Sequence, residues 1–292
     1  MDTQALQAFV AVVDHASFSE AAESLHLTQP AVSKRIALLE SQLDCRLFDR
    51  IGRNVTLTEA GRTLLPHART VLRELREARR DIQDLHGSIS GVLSMGISHH
   101  LGLHRLPPIL QQFVAAFPEV RLDIEFLDSE LAYERVLHGE ADIGVITLAP
   151  EEKPSLRQRV IWRDPLTVVV AADHPLASKT QVTPAQLSQH RAILPGLETY
   201  TGRIVKALFD AQRLPLDLSM STNYLETLRM MVSIGLGWSV LPHTLLDASL
   251  APLELEGAHL ERQLGVVTHR ERSLSNAARA LLDLLIAAAD ER

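Results

Sequence analysis

Three groups of side chains in this 292-residue sequence could do chemistry. Ser98, His99 and His100, with His104 four residues beyond His100, place a hydroxyl and three imidazoles on one short stretch. Imidazole ligates metals when neutral and meets anions when protonated, and histidines at i and i+4 share a helix face. A metal sensor built on His99, His100 and His104 is therefore one reading. No paired cysteines and no matching carboxylate spacing support it, and histidines so placed more often cap, pack or bind an anion. The second group is Gln29, Pro30, Ser33, Lys34 and Arg35. Gln pairs with adenine edges, Ser tolerates any base, and the cations suit phosphates. The third is Cys45, the single thiol, which can form no internal disulfide and fits a reducing compartment.

Enzyme chemistry finds little support. There is no P-loop and no nucleophile elbow, and Gly235-Leu236-Gly237 lacks the third glycine of a dinucleotide fingerprint. No cofactor is therefore expected, and no metal in the main reading. Hydrophobic residues make up 46% and charged residues 22%, the balance of an ordinary globular protein. The net charge of -7 argues against a protein that coats nucleic acid indiscriminately, yet cations exceed anions between residues 28 and 53. The first residues carry no basic segment, and apolar runs such as 166–172 fall far short of the ~20 residues a membrane span needs. The expected location is the cytoplasm, with no membrane partner.

The elements that must hold the second group can be read from periodicity. Leu6, Phe9, Val10 and Val13 make one apolar stripe of a first helix. A short second helix follows, with Ser19 as its expected N-cap and Ala21, Ala22 and Leu25 on its buried side. Thr28 then caps a third helix that tolerates Pro30 in its first turn and buries Val32, Ile36, Leu39 and Leu43. That leaves Gln29, Pro30 and Ser33 outward, with Lys34 and Arg35 beside them. Residues 46–50 and 53–58 read as two short strands around Gly52, a wing with Arg50 and Arg53 near its tip.

These stretches carry a family resemblance. Ser17-Phe18-Ser19-Glu20-Ala21-Ala22, Leu27-Thr28-Gln29-Pro30-Ala31-Val32-Ser33, Ile36, Leu39-Glu40, Leu47-Phe48-Asp49-Arg50 and Leu57-Thr58-Glu59-Ala60-Gly61 resemble the signature of the LysR-type transcriptional regulators, in order and spacing. The resemblance implies base or phosphate contacts from Gln29, Pro30, Ser33 and Lys34, and backbone or minor-groove contacts from Arg50 and Arg53. It implies double-stranded promoter DNA as partner, with RNA polymerase as a further partner open to such a regulator.

From residue 58 onward Leu64, Ala68, Val71, Leu75, Ala78, Ile82 and Leu85 recur at steps of four and three, the seam of a coiled coil. Gly87-Ser88-Ile89-Ser90-Gly91 breaks the helix as a hinge. The seam calls for a partner helix, hence a homo-oligomer, a dimer or a tetramer of paired dimers as in the family.

After the hinge, strands expected at 92–97, 120–126 and 141–146 alternate with helices at 107–117 and 129–138. A second cycle has strands near 166–171, 192–194, 216–220 and 238–241 and helices near 201–211 and 224–234, while a strand at 263–268 and a helix at 274–289 return to the first lobe. The fold class is α/β: a winged helix-turn-helix over residues 1–58, a linker helix and hinge over 59–90, and a two-lobed effector domain over 91–292. Its lobes are about 91–162 with 265–292, and about 163–264. By family resemblance this domain is similar to periplasmic binding proteins. In such sheets ligands bind where strand C-termini meet helix N-termini. Ser98, His99, His100, Thr147, Pro195, Gly196, Thr222 and Asn223 occupy those junctions. Helix N-termini favour anions, so a small carboxylate or other oxyanion is the expected effector; if His99 or His100 contacts it as an imidazolium, its affinity weakens as pH rises through that histidine's titration.

Overall fold

The computed structural model describes residues 2–51, 54–84 and 89–289, in two compact units, Met1–Gly87 and Ser88–Arg292. The first unit begins with three helices, α1 (Thr3–His15), α2 (Phe18–Ser24) and α3 (Gln29–Leu43). Asp2 starts α1 by accepting from the Ala5 amide at 2.7 Å. Ser17, not Ser19, caps α2, accepting from the Glu20 amide at 3.3 Å. Ser17 is the residue with a glutamate three positions on, the arrangement that serves a helix start best. The apolar face of α1 is also rotated from expectation. Ala5, Leu6, Ala8, Phe9 and Val12 are buried while Val10 and Val13 are half-buried, because the small alanines admit α2 and α3 at close range.

A wing follows, β1 (Phe48–Ile51) paired antiparallel with β2 (Asn54–Leu57), and then the 26-residue α4 (Glu59–Asp84). Two residues lock these pieces together. The Glu40 carboxylate on α3 accepts from the amides of Leu47 at 2.7 Å and Phe48 at 3.4 Å, tying helix to wing. Thr58 donates its hydroxyl to the Arg46 carbonyl at 2.7 Å and accepts from the Gly61 amide at 3.0 Å, fixing where α4 starts. Gly61 has no alternative there, since a Cβ would lie 2.3 Å from the Leu47 carbonyl oxygen.

The seam on α4 differs from expectation at its start. Ala68 is buried in the core of this unit, with Leu64, Leu65 and Leu72 packed on it. The unspent stripe begins one turn later, at Val71, Leu75, Ala78 and Ile82, all exposed. Leu85 and the Gly87-Ser88 part of the hinge lie outside the described residues.

In the second unit β3 (Gly91–Ile97), α5 (His99–His104), α6 (Pro107–Ala116), β4 (Val120–Phe126), α7 (Ser129–Leu137) and β5 (Ile143–Thr147) make the first βαβαβ cycle. Strand β3 pairs parallel with both β4 and β5. The chain then crosses on β6 (Leu156–Ala171), a 16-residue strand of which the sequence pattern shows only the second half. The second lobe follows with β7 (Gln181–Val182), α8 (Pro184–Leu187), β8 (Ala192–Leu194), α9 (Tyr200–Ala211), β9 (Leu218–Ser221), α10 (Leu225–Ser233), β10 (Ser239–Pro242) and β11 (Leu250–Leu255). Finally β12 (Leu260–His269) pairs antiparallel with β6 from Leu260↔Leu166 to His269↔Leu156, and α11 (Asn276–Ala287) packs on α6.

The strand order β4-β3-β5-β12-β6-β11-β7, with β10 also on β6, shows how the lobes are joined. Strand β12 does not simply return to the first lobe. Its Leu260 sits in the second-lobe core with Val168, Val205 and Trp238, while Leu264 and Val266 sit in the first-lobe core with Met95, Phe113 and Leu281. Between them, at the crossing, stands Arg262 opposite Asp164 of β6. Among the described residues no helix is long and apolar enough to cross a membrane.

Candidate functional site

In the first unit the N-terminal end of α3 is presented to solvent. Thr28 is at the N-cap position without a side-chain cap bond, and Pro30 lies in the first turn. Thr28, Gln29, Pro30 and Lys34 are exposed; Ser33 and Arg35 are half-buried. The Gln29 amide donates to the Ser33 hydroxyl at 3.0 Å, which holds both on one face and leaves the Gln29 carbonyl as an acceptor. Arg35 donates to the Gln4 side chain at 3.0 Å, so part of its guanidinium steadies α3 against α1. The backbone of Arg50 is in β1, but its side chain lies outside the described set, as does Arg53 altogether. Cys45 is half-buried beside the core of this unit.

In the second unit a cavity of about 50 Å³ opens between the lobes. Ser98 follows β3, Thr147 ends β5 and Pro195 follows β8, so the strand C-termini converge on it as the topology requires. Six of the eight residues named from sequence line it: Ser98, His99, His100, Thr147, Pro195 and Asn223. Gly196 and Thr222 stand behind the wall. The Gly196 amide is spent on the Asn223 side-chain carbonyl at 3.2 Å, and the Thr222 hydroxyl accepts from the Tyr224 amide at 3.4 Å.

The electrostatics differ from expectation at one residue. His100 is buried, and burial, with Arg262, His104 and Arg105 nearby, lowers its pKa to about 3. At neutral pH it is an uncharged imidazole, so it does not meet an anion as an imidazolium. Neither of its ring nitrogens has a hydrogen-bond partner among the described residues. The positive charge comes instead from Arg262, which the junction rule passes over. Its side chain is buried, its Nε donates to Asp164 Oδ2 at 2.7 Å, and its Nη2 has no partner among the described residues. A buried guanidinium N–H without an acceptor is costly and marks a place for an incoming one. The strand itself holds the signal, since Arg262 falls between Leu260 and Leu264 on the inward face.

Lobe-to-lobe contacts lie at the cavity and beside it. Glu130 at the start of α7 accepts from the Tyr200 amide at 2.5 Å, at the first turn of α9. Asn223 donates to Asp128 at 2.9 Å, and the His104 ring lies 2.9 Å from a Glu226 oxygen on α10. His99 packs between the rings of Phe126 and Tyr224, at 5.6 and 4.7 Å. Burial and Glu130 raise the Tyr200 phenol above its ordinary pKa, so it stays protonated. Thus a protein carboxylate already sits where the α9 N-terminus would greet an anion, and α5 has only six residues. The guanidinium that lines the cavity is that of Arg262, paired with Asp164 through Nε and with Nη2 left without a partner among the described residues.

Residues 3–62 match the family model described as a bacterial regulatory helix-turn-helix protein of the lysR family, and residues 86–290 match the LysR substrate binding domain. The HTH-type transcriptional regulator CbbR of Rhodospirillum rubrum is 32% identical over 97% of this chain and 95% of its own. A full-length OxyR variant from Pseudomonas aeruginosa superposes with a TM-score of 0.71 at 24% identity, over 99% of this chain and 100% of that one. CbnR, solved as the full-length protein complexed with its target DNA, superposes with a TM-score of 0.68 at 19% identity, with the same coverage.

Proposed function

Since the chain belongs to the LysR family of bacterial transcriptional regulators, with its helix-turn-helix and substrate-binding domains both present, we propose that it reads promoter DNA through the exposed end of α3 and answers to a small anion held between its lobes. In this reading Gln29 and Ser33 face base edges, with Thr28, Pro30 and Lys34 beside them, and Arg35, Arg50 and Arg53 add charge along the phosphates. The solved complex of CbnR with target DNA supports duplex DNA as the partner. The exposed stripe Val71, Leu75, Ala78 and Ile82 supports self-association through α4, as a dimer or a tetramer of dimers.

The observation that carries the effector class is the unpartnered Nη2 of Arg262 in a cavity that also offers the Ser98 and Thr147 hydroxyls. The 50 Å³ cavity is smaller than the ~150 Å³ that admits benzene, so in this arrangement of the lobes it takes a compact oxyanion or one carboxylate head group. A larger carboxylate requires the lobes to part, and the contacts of Glu130 and Asp128 with the second lobe are those that would break. Gly196 and Thr222 contribute by holding Asn223 and the start of α10.

The test is a thermal-shift screen of the full chain, in the presence of EDTA, against inorganic oxyanions and small mono- and dicarboxylates. A ligand at 100 times its dissociation constant adds about 2.7 kcal/mol of apparent stability. The stabilising compound is then titrated into Ser98→Ala, Thr147→Val and Arg262→Lys. Weakened binding in all three is expected. Full-strength binding in all three would remove the cleft from the account.

A further inference from the structure

His100 and His104 lie four residues apart on α5, and their rings stand 4.8 Å apart, centre to centre. Across the cleft the Glu226 carboxylate of α10 completes a group. One ligand atom from each residue falls within 4.8 Å of both others. His99, the third histidine of the sequence motif, points elsewhere, into Phe126 and Tyr224. Two imidazoles and a carboxylate, with a fourth position open, are the donor set of many zinc sites, and nitrogen-rich sites also take Co²⁺ and Ni²⁺. We propose that His100, His104 and Glu226 form a binding site for one such divalent transition-metal ion, which pins the first lobe to the second beside the effector cavity.

Two observations support this beyond the presence of the three side chains. His100 is only 6% exposed and neither of its ring nitrogens has a partner among the described residues, so it presents a dry donor whose recruitment breaks no hydrogen bond seen there. His104 and Glu226 already lie 2.9 Å apart, close to the ligand separation of about 3.3 Å that tetrahedral bonds of ~2.0 Å require. The surrounding charge allows a cation. Arg262 and Arg105 oppose one, but Asp164 lies 2.7 Å from the first and 4.0 Å from the second, and Glu226 brings a further negative charge. Two carboxylates thus balance two guanidiniums before the ion arrives.

The site goes beyond the anion reading and is tested separately from it. ZnCl₂ is titrated calorimetrically into the EDTA-stripped and dialysed full chain in a weakly coordinating buffer, with Co²⁺ as a second probe whose visible spectrum reports its ligands. One ion per chain is expected, reversed by EDTA. His104→Ala and Glu226→Gln, both at partly exposed positions, should each weaken binding at least about tenfold, the smaller loss seen when only a group behind a ligand is removed. His243→Ala, exposed in the second lobe, is the control and should bind as wild type. Circular dichroism of each variant confirms that it is folded. Saturation at other than one ion per chain, or equal affinity in wild type, His104→Ala and Glu226→Gln, would overturn the site. Because the oxyanion screen contains EDTA, failure here leaves that reading standing, and failure of the screen leaves this one.

Discussion

Arg262 and Asp164 face each other on the two strands that run through both lobes, and replacing either has two separable consequences. Removing Arg262 leaves the buried Asp164 with only Arg105, 4.0 Å away, so Arg262→Met should cost up to about 3–5 kcal/mol of stability, read as a lower urea midpoint. Pairing it with Asp164→Leu removes both charges. The double variant should recover most of that stability without recovering anion binding. Anion affinity equal to wild type in the double variant would show Arg262 to be structural only. The junction rule leads to Ser98, His100, Thr147 and Asn223 because it needs only the order of strands and helices. Arg262 is legible too, as a charge at an inward strand position, but only to a reader who trusts the alternation Leu260-Arg262-Leu264. Glu226 is not: its meeting with His104 joins residues 122 apart in sequence and depends on how the lobes close.

Elements are legible where local chemistry sets them and obscure where tertiary pairing does. The start of α3 at Thr28-Gln29-Pro30 follows from capping and proline rules. The first half of β6 does not follow from pattern, because Arg157, Arg159 and Arg163 break its apolar run and read as a loop until β12 pairs with them. Periodicity starts the open seam of α4 about two turns too early, at Leu64 instead of Val71, since it cannot tell an intramolecular contact at Ala68 from an open one at Leu75. Two predictions belong here. Leu75→Asp should shift the solution mass from oligomer toward monomer in analytical ultracentrifugation at micromolar concentration, and an unchanged mass would remove α4 as the interface. Gly61→Ala should destabilise the first unit by about 1–3 kcal/mol, the cost of overpacking a closed contact, and so lower the thermal midpoint for loss of DNA binding. An unshifted midpoint would mean that the approach of Leu47 to Gly61 is not held in solution.

For the whole molecule, regulation requires the effector to bind two arrangements of the lobes with different affinity, and the two states to differ in their affinity for DNA. A coupling of about 1–3 kcal/mol would change DNA affinity roughly 5- to 150-fold. The contacts made by Glu130, Asp128 and Glu226 across the cleft are the terms such a ligand would compete with or reinforce. All of this presupposes a specific reader of duplex DNA at the other end of the chain. The most direct measurement is fluorescence anisotropy of the full chain on a duplex selected in vitro from a random pool and on a scrambled duplex, at two salt concentrations. The preferred duplex should bind at least about 10³-fold more tightly than the scrambled one. Gln29→Ala and Ser33→Ala should erode that ratio, with a base contact worth about 1–3 kcal/mol, whereas Lys34→Ala should weaken both duplexes alike and reduce the salt slope by about 1. A preference that survives Gln29→Ala and Ser33→Ala intact, or no preference in the wild type, would contradict the assignment of α3 as the reading element.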